Sequence, residues 1–133
     1  MAHNDFSGSE RRRFVRLYYP LKIKFRIISE ENNEEFLKVY NAITRDISIN
    51  GLCMEINALH KEACDRIKNG QDKLELEIAL SSDNLEIIKL SGVAIRLLEE
   101  HSKSYHTGVI FTRFEEDDKI KLLHFMKTRM NQK

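Results

Sequence analysis

Two short stretches of this chain hold residues whose types and spacing can do chemistry. The first is Arg11-Arg12-Arg13-Phe14-Val15-Arg16, in which Arg12 and Arg16 stand four apart. A guanidinium carries its donors in a planar fork, which fits a phosphate bidentately and also fits the O6/N7 edge of guanine. The second stretch is Asp46-Ile47-Ser48-Ile49-Asn50-Gly51. Its Asn50-Gly51 pair favours a tight connection, with Gly51 free to take positive φ, and Asp46 and Ser48, two apart, can project to one side. A carboxylate placed there accepts from the N1–H and N2–H₂ donors of guanine, and a hydroxyl adds one more hydrogen bond. The two stretches together suit a guanine nucleotide. The same residues have a plainer use, because Asp46 and Ser48 can cap an Asx-type turn and Gly51 can serve geometry alone.

Charge is distributed in keeping with an anionic ligand. The chain is close to neutral at +1, yet residues 1–26 carry +5 and the remainder −4. The basic excess comes from Arg11, Arg12, Arg13, Arg16, Lys22, Lys24 and Arg26. Concentrated positive charge beside an acidic remainder points to phosphate, nucleic acid or a membrane surface, or else to a solvated basic strand edge.

Other functions are excluded by what the sequence lacks. It has no P-loop, no G-x-G-x-x-G, no G-x-S-x-G and no H-E-x-x-H, and its five histidines (His3, His60, His101, His106, His124) show no metal-ligand spacing. An enzyme is therefore not expected, nor a metal or cofactor. His101 and His106 flank a polar stretch and are expected in an exposed hairpin loop. Cys53 and Cys64 are too few for a disulfide framework or a four-cysteine zinc site, and are expected as reduced, small core or half-buried residues. Apolar runs reach only three residues, so membrane insertion is not expected and a cytoplasmic location is.

The elements that must position the two stretches follow from periodicity. With 133 residues, 41% of them hydrophobic, the chain is one domain with one core. Residues 1–10 read as a flexible tail and 11–131 as the domain. Leu21-Lys-Ile-Lys-Phe-Arg-Ile27 alternates strictly, with Leu21, Ile23, Phe25 and Ile27 on one face, and Pro20 fits its start. Residues 30–35 read as a hairpin loop and Phe36–Arg45 as a second strand. Leu52, Met54 and Ile56 mark a third. A short helix over Leu59–Lys68 carries Leu59, Ala63 and Ile67 inward, with Asn57 as its expected N-cap. Leu74–Leu80 is a fourth strand, Ser81–Asn84 a turn, Leu85–Leu98 a fifth strand with a bulge at Gly92, and Thr107–Phe114 a sixth. A C-terminal helix opens on Glu115–Asp118, closes on Lys127, Arg129 and Lys133, and has Ile120, Leu122, Leu123, Met126 and Met130 as its expected apolar stripe. The fold class is mainly β, a six-stranded antiparallel barrel with a short inserted helix and a C-terminal helix covering a mouth or an edge.

Arg-x-x-x-Arg before a first strand, followed one hairpin later by Asp-x-Ser-x-x-Gly, resembles the PilZ domain. Arg12 and Arg16 match the first motif and Asp46, Ser48 and Gly51 the second, and Thr107-Gly108-Val109-Ile110-Phe111 is similar to the family's late strand. The resemblance covers Glu10 to Met130 and departs from the family in the insertion between Asn57 and Gly70. It implies a six-stranded barrel with a C-terminal helix that binds cyclic di-GMP, as a receptor rather than an enzyme. The implied ligand-binding set is Arg12, Arg16, Asp46, Ser48 and Gly51, with Arg11, Arg13 and Asn50 beside them. One molecule of cyclic di-GMP, or an intercalated pair, is implied, together with an effector protein of unspecified identity. Arg11 to Arg16 repel one another and are expected to be mobile without ligand and ordered with it. Two other readings stand beside this one. A sheet platform of Lys22, Lys24, Arg26, Tyr18 and Tyr19 would bind nucleic acid, which the family reading does not expect, and an adaptor would bind only protein.

Overall fold

The computed structural model describes residues 15–28, 38–57, 59, 61–69, 73–83, 85–101 and 104–130. The N-terminal tail, Arg11, Arg12, Arg13 and the 30–35 loop lie outside them. Six strands and two helices follow one another as β1 (Lys22–Ile28), β2 (Tyr40–Ile47), β3 (Gly51–Asn57), α1 (Lys61–Asn69), β4 (Lys73–Ala79), β5 (Ile87–His101), β6 (Ser104–Phe114) and α2 (Asp118–Met130). The strands close into a barrel in the order β1-β2-β3-β6-β5-β4, and every neighbouring pair is antiparallel.

Alternation of apolar and polar residues dictates which face turns inward. Ile23, Phe25 and Ile27 of β1, Leu52, Met54 and Ile56 of β3, and Leu74, Leu76 and Ile78 of β4 are all buried, with Leu21 just ahead of them. Phe25 stacks on Tyr40 at 5.4 Å between ring centroids. The bulge expected at Gly92 is present as a register shift between Ser91 and Gly92, and two more interrupt the same strand pair, between Ala94 and Arg96 and between Glu99 and His101. A fourth lies in β2, between Thr44 and Asp46.

The helices close opposite ends of the barrel. Antiparallel pairing puts the end of β3 and the start of β4 at one rim, where α1 sends Ala63, Cys64 and Ile67 into the core behind Leu59. α1 begins at Lys61, so Asn57 is the last residue of β3 and not the cap of the helix. α2 follows β6 at the other rim. It is pinned by Asp118, whose Oδ2 accepts the Lys89 N–H of β5 at 2.7 Å. The buried face of α2 is Leu122, Phe125 and Met126, while Ile120, Leu123 and Met130 of the expected stripe are exposed. At 100° per residue the pinned Asp118 lies on the side of Leu122 and Phe125, which turns Ile120 and Leu123 outward. No helix among the described residues is long and apolar enough to cross a membrane.

Candidate ligand-binding site

The segment before β1 is sewn to β2. Leu17 N–H donates to Ile47 O at 2.8 Å and Ile47 N–H donates to Leu17 O at 3.0 Å. Thr44 adds a side-chain stitch, since its buried hydroxyl accepts the Leu21 N–H and donates to Tyr19 O, both at 2.8 Å. These bonds carry Arg16 alongside Asp46, and its Nη1 lies 2.5 Å from Asp46 Oδ1. Arg16 keeps 55% of its side chain exposed and Asp46 15% of its own, so a ligand can reach the pair from solvent. Of the segment expected to be mobile, Arg11 to Phe14 lie outside the described residues, and Arg16 is placed by the Leu17–Ile47 bridge beside it and by Asp46.

The β2 bulge supplies the other half of the arrangement. Thr44 and Ile47 point inward, and the extra residue leaves both Arg45 and Asp46 on the outside. Beyond Ile47 the turn is built by Ser48, whose Oγ accepts from Asn50 N–H at 3.2 Å and Gly51 N–H at 3.3 Å, and donates to Gly51 O at 3.2 Å. The hydroxyl is therefore engaged by its own turn, which is the plainer of its two readings. Asn50 is exposed, and its carbonyl accepts the Phe111 N–H at 2.8 Å, fixing the turn to β6. Gly51 does not use the positive φ open to it. A Cβ there would stand 2.3 Å from Val109 O, so glycine is required for the close approach of β3 to β6.

Arg16, Ser48, Asn50 and Gly51 line one side of an open groove of about 460 Å³, whose floor and far side come from Cys53, Gly108, Ile110, Arg96, Leu98 and His106 among others. Periodicity placed Cys53 on an outward position of β3 and Gly108 on the sixth strand, but nothing local to either stretch announced that β3 and β6 pair to make one floor. Burial raises the Cys53 thiol pKa, the Asp46 carboxylate raises it further, and Arg45 and Arg16 act against both. His106 is not in a loop. It sits in β6, one fifth exposed, with Nδ1 3.4 Å from Glu100 Oε2. Glu100 also holds Arg45 at 2.5 Å, and Arg45 reaches Glu55 at 3.3 Å, so a charged cluster borders the groove.

The basic face offered as a nucleic-acid platform lies on β1, beside carboxylates of β4. Lys24 is registered with Glu77, and Arg26 pairs with Glu75 at 3.2 Å, which interleaves the basic face with carboxylates. Tyr19 meets Phe125 edge-on at 6.3 Å, and the Arg129 guanidinium lies over its ring at 4.4 Å. Tyr18 is widely exposed. Among the described residues there is also no cluster of His, Cys, Asp or Glu that could hold a metal ion.

The PilZ domain family model matches residues 10–128 of this chain. The chain belongs to the PilZ domain family. Solved structures share its fold. The Bacillus subtilis inhibitor of motility (MotI/DgrA) superposes with a TM-score of 0.65 at 17% identity, over 92% of this chain and 53% of that one. This chain thus spans about half the length of that relative. The PilZ domain of CeSA from a cellulose-synthesizing bacterium gives 0.56 at 10% identity, covering 88% of this chain and 99% of its own. The PilZ domain of YcgR from Escherichia coli, solved with c-di-GMP, gives 0.51 at 14% identity and covers 89% and 90%. No curated protein matches the sequence.

Proposed function

We propose that this PilZ domain is a cyclic di-GMP receptor whose ligand lies in the groove beside Arg16 and Asp46. The observation that carries the reading is the Arg16–Asp46 pair, 2.5 Å apart and open to solvent, with Arg16 lining the groove. Guanine shows acceptors at O6 and N7 and donors at N1 and N2 on adjoining edges, so a prepaired guanidinium and carboxylate match it without rearrangement. Prepairing also lowers the cost of ordering the site. Arg12, Arg11 and Arg13 supply further forks and charge for the phosphates. Ser48 and Gly51 hold the turn, and Asn50 borders the groove. That YcgR's PilZ domain carries c-di-GMP supports the same ligand.

The domain acts by binding, not catalysis, in the cytoplasm, and it reports to an effector protein. The route outward is short: Arg16 is three residues from Tyr19, and Tyr19 packs on Phe125 of α2. Ligand engaging Arg16 therefore bears on the outer helix.

Calorimetric titration of the full chain tests the reading, with Arg16→Ala, Asp46→Ala, cyclic di-AMP and a short RNA as controls. Loss of one charge-assisted contact is worth about 1.5–3 kcal/mol, so each variant should bind roughly 10- to 100-fold more weakly. Cyclic di-AMP should fail, because adenine puts an N6 donor where guanine has an acceptor. No heat with cyclic di-GMP would sink the receptor reading, leaving RNA binding or a protein adaptor according to the RNA control. One site per chain or two would decide between a single messenger and an intercalated pair.

A further inference from the structure

The register of the barrel lines up four outward positions on four successive strands. Asp46 of β2 stands opposite Cys53 of β3, Cys53 opposite Gly108 of β6, and Gly108 opposite Arg96 of β5. Two bulges create this row. In β2 the extra residue brings Asp46 outward, and in β5 the shift between Ala94 and Arg96 leaves Ile95 and Arg96 both exposed between buried Ala94 and Leu97. Without the second bulge, strict alternation from Ala94 would send Arg96 inward.

The β5 bulge is fastened from inside. Thr107, fully buried, donates its hydroxyl to the Arg96 carbonyl. The row thus reads charge, small, small, charge, with Arg16 reinforcing its acidic end and Arg96 standing at the other. Among the described residues Arg96 makes no ion pair. Arg16 and Arg96 line the same groove, with Cys53 and Gly108 between them.

We propose that Arg96 reads the second guanine of the bound dinucleotide, its guanidinium fork on O6 and N7, while Arg16 and Asp46 hold the first. The assignment rests on the receptor reading above and adds to it the residue that distinguishes a di-guanine ligand from a mixed one. A guanidinium offers only donors, so an adenine N6 amino group at that position meets donor against donor.

The test compares cyclic di-GMP with the mixed cyclic guanine–adenine dinucleotide on wild type, Arg96→Ala, and Arg26→Ala as a charge control on the far side of the barrel. Wild type and Arg26→Ala should prefer cyclic di-GMP by about 10- to 100-fold. Arg96→Ala should bind cyclic di-GMP more weakly by a similar factor, and its preference should collapse to within about threefold. Unchanged affinity in Arg96→Ala overturns the assignment while leaving the receptor intact. Weakened affinity with the preference retained also overturns it, since that outcome describes a charge that does not read the base. A wild type that binds neither ligand, or Arg16→Ala that binds as well as wild type, overturns the receptor reading itself. A melting curve matching wild type shows that Arg96→Ala is folded.

Discussion

Two glycines on the groove do different jobs, and alanine separates them. At Gly51 a Cβ would meet the Val109 carbonyl oxygen at 2.3 Å, and backbone paired in a ladder cannot step aside. Gly51→Ala should destabilise the fold by at least about 2 kcal/mol, seen as a fall in the urea midpoint at unchanged slope. At Gly108 a Cβ would meet Cδ1 and Cγ1 of Ile95 at 3.1 Å, the flexible end of an exposed side chain. Gly108→Ala should melt within about 1 kcal/mol of wild type yet bind cyclic di-GMP about tenfold more weakly, because the methyl group raises the groove floor. A Gly108→Ala protein that folds and binds normally would remove the floor from the site. Cys53, beside it, reports the local charge. Its pKa is raised by burial and by Asp46, so at pH 8 it should alkylate more slowly than a free thiol, and the rate should climb with pH past the ordinary thiol range. Asp46→Asn removes the negative charge and should speed alkylation by iodoacetamide, whereas Arg16→Ala should slow it. Mass spectrometry of the Cys53 peptide reads both directions.

At the scale of elements, what was legible in the sequence is what local periodicity determines. Leu21, Ile23, Phe25 and Ile27 declared their strand because one face is core and the other solvent, a difference that alternation records directly. The turn from Ser48 to Gly51 was legible for a similar reason, since its bonds run between residues two and three apart. The row from Asp46 to Arg96 was not. It depends on β3 pairing with β6 across 55 residues from Cys53 to Gly108, and on two bulges that no residue type marks. α2 was misread because Ile120, Leu122, Leu123, Phe125, Met126 and Met130 surround the helix, so the contact with β5, not the stripe, chooses the buried face. The stitch at Thr44 belongs to this scale as well, for it joins the segment bearing Arg16 to β2. Thr44→Val keeps the shape but strands the Leu21 N–H and the Tyr19 carbonyl, costing about 2–3 kcal/mol. Chemical denaturation should show that loss, and titration should show weaker ligand binding as Arg16 loses its placement. A stable Thr44→Val protein with full affinity would mean the Leu17–Ile47 bridge suffices alone.

Across the whole molecule, the groove and α2 share one end of the barrel and are joined by the chain that runs from Arg16 to Leu21. Arg16 touches Asp46, Leu17 bridges Ile47, and Tyr19 lies between Phe125 and Arg129 of α2. A ligand that binds only the folded state stabilises it by about 2.7 kcal/mol at a hundred times its dissociation constant, and that shift slows amide exchange wherever exchange needs global unfolding. Local coupling has a different signature. If Tyr19 carries the effect of ligand to α2, amides of Leu122 to Met126 that exchange by local opening should slow when cyclic di-GMP binds the wild type. In Tyr19→Ala the ring contact is gone while Arg16, Asp46 and the Leu17–Ile47 bonds remain. Affinity should then stay within about threefold of wild type, because the removed ring is remote from the groove. Protection of α2 on ligand binding should disappear. Equal slowing in Tyr19→Ala and wild type would show that α2 responds to the stability of the barrel as a whole, and the output surface would have to be sought elsewhere on the domain.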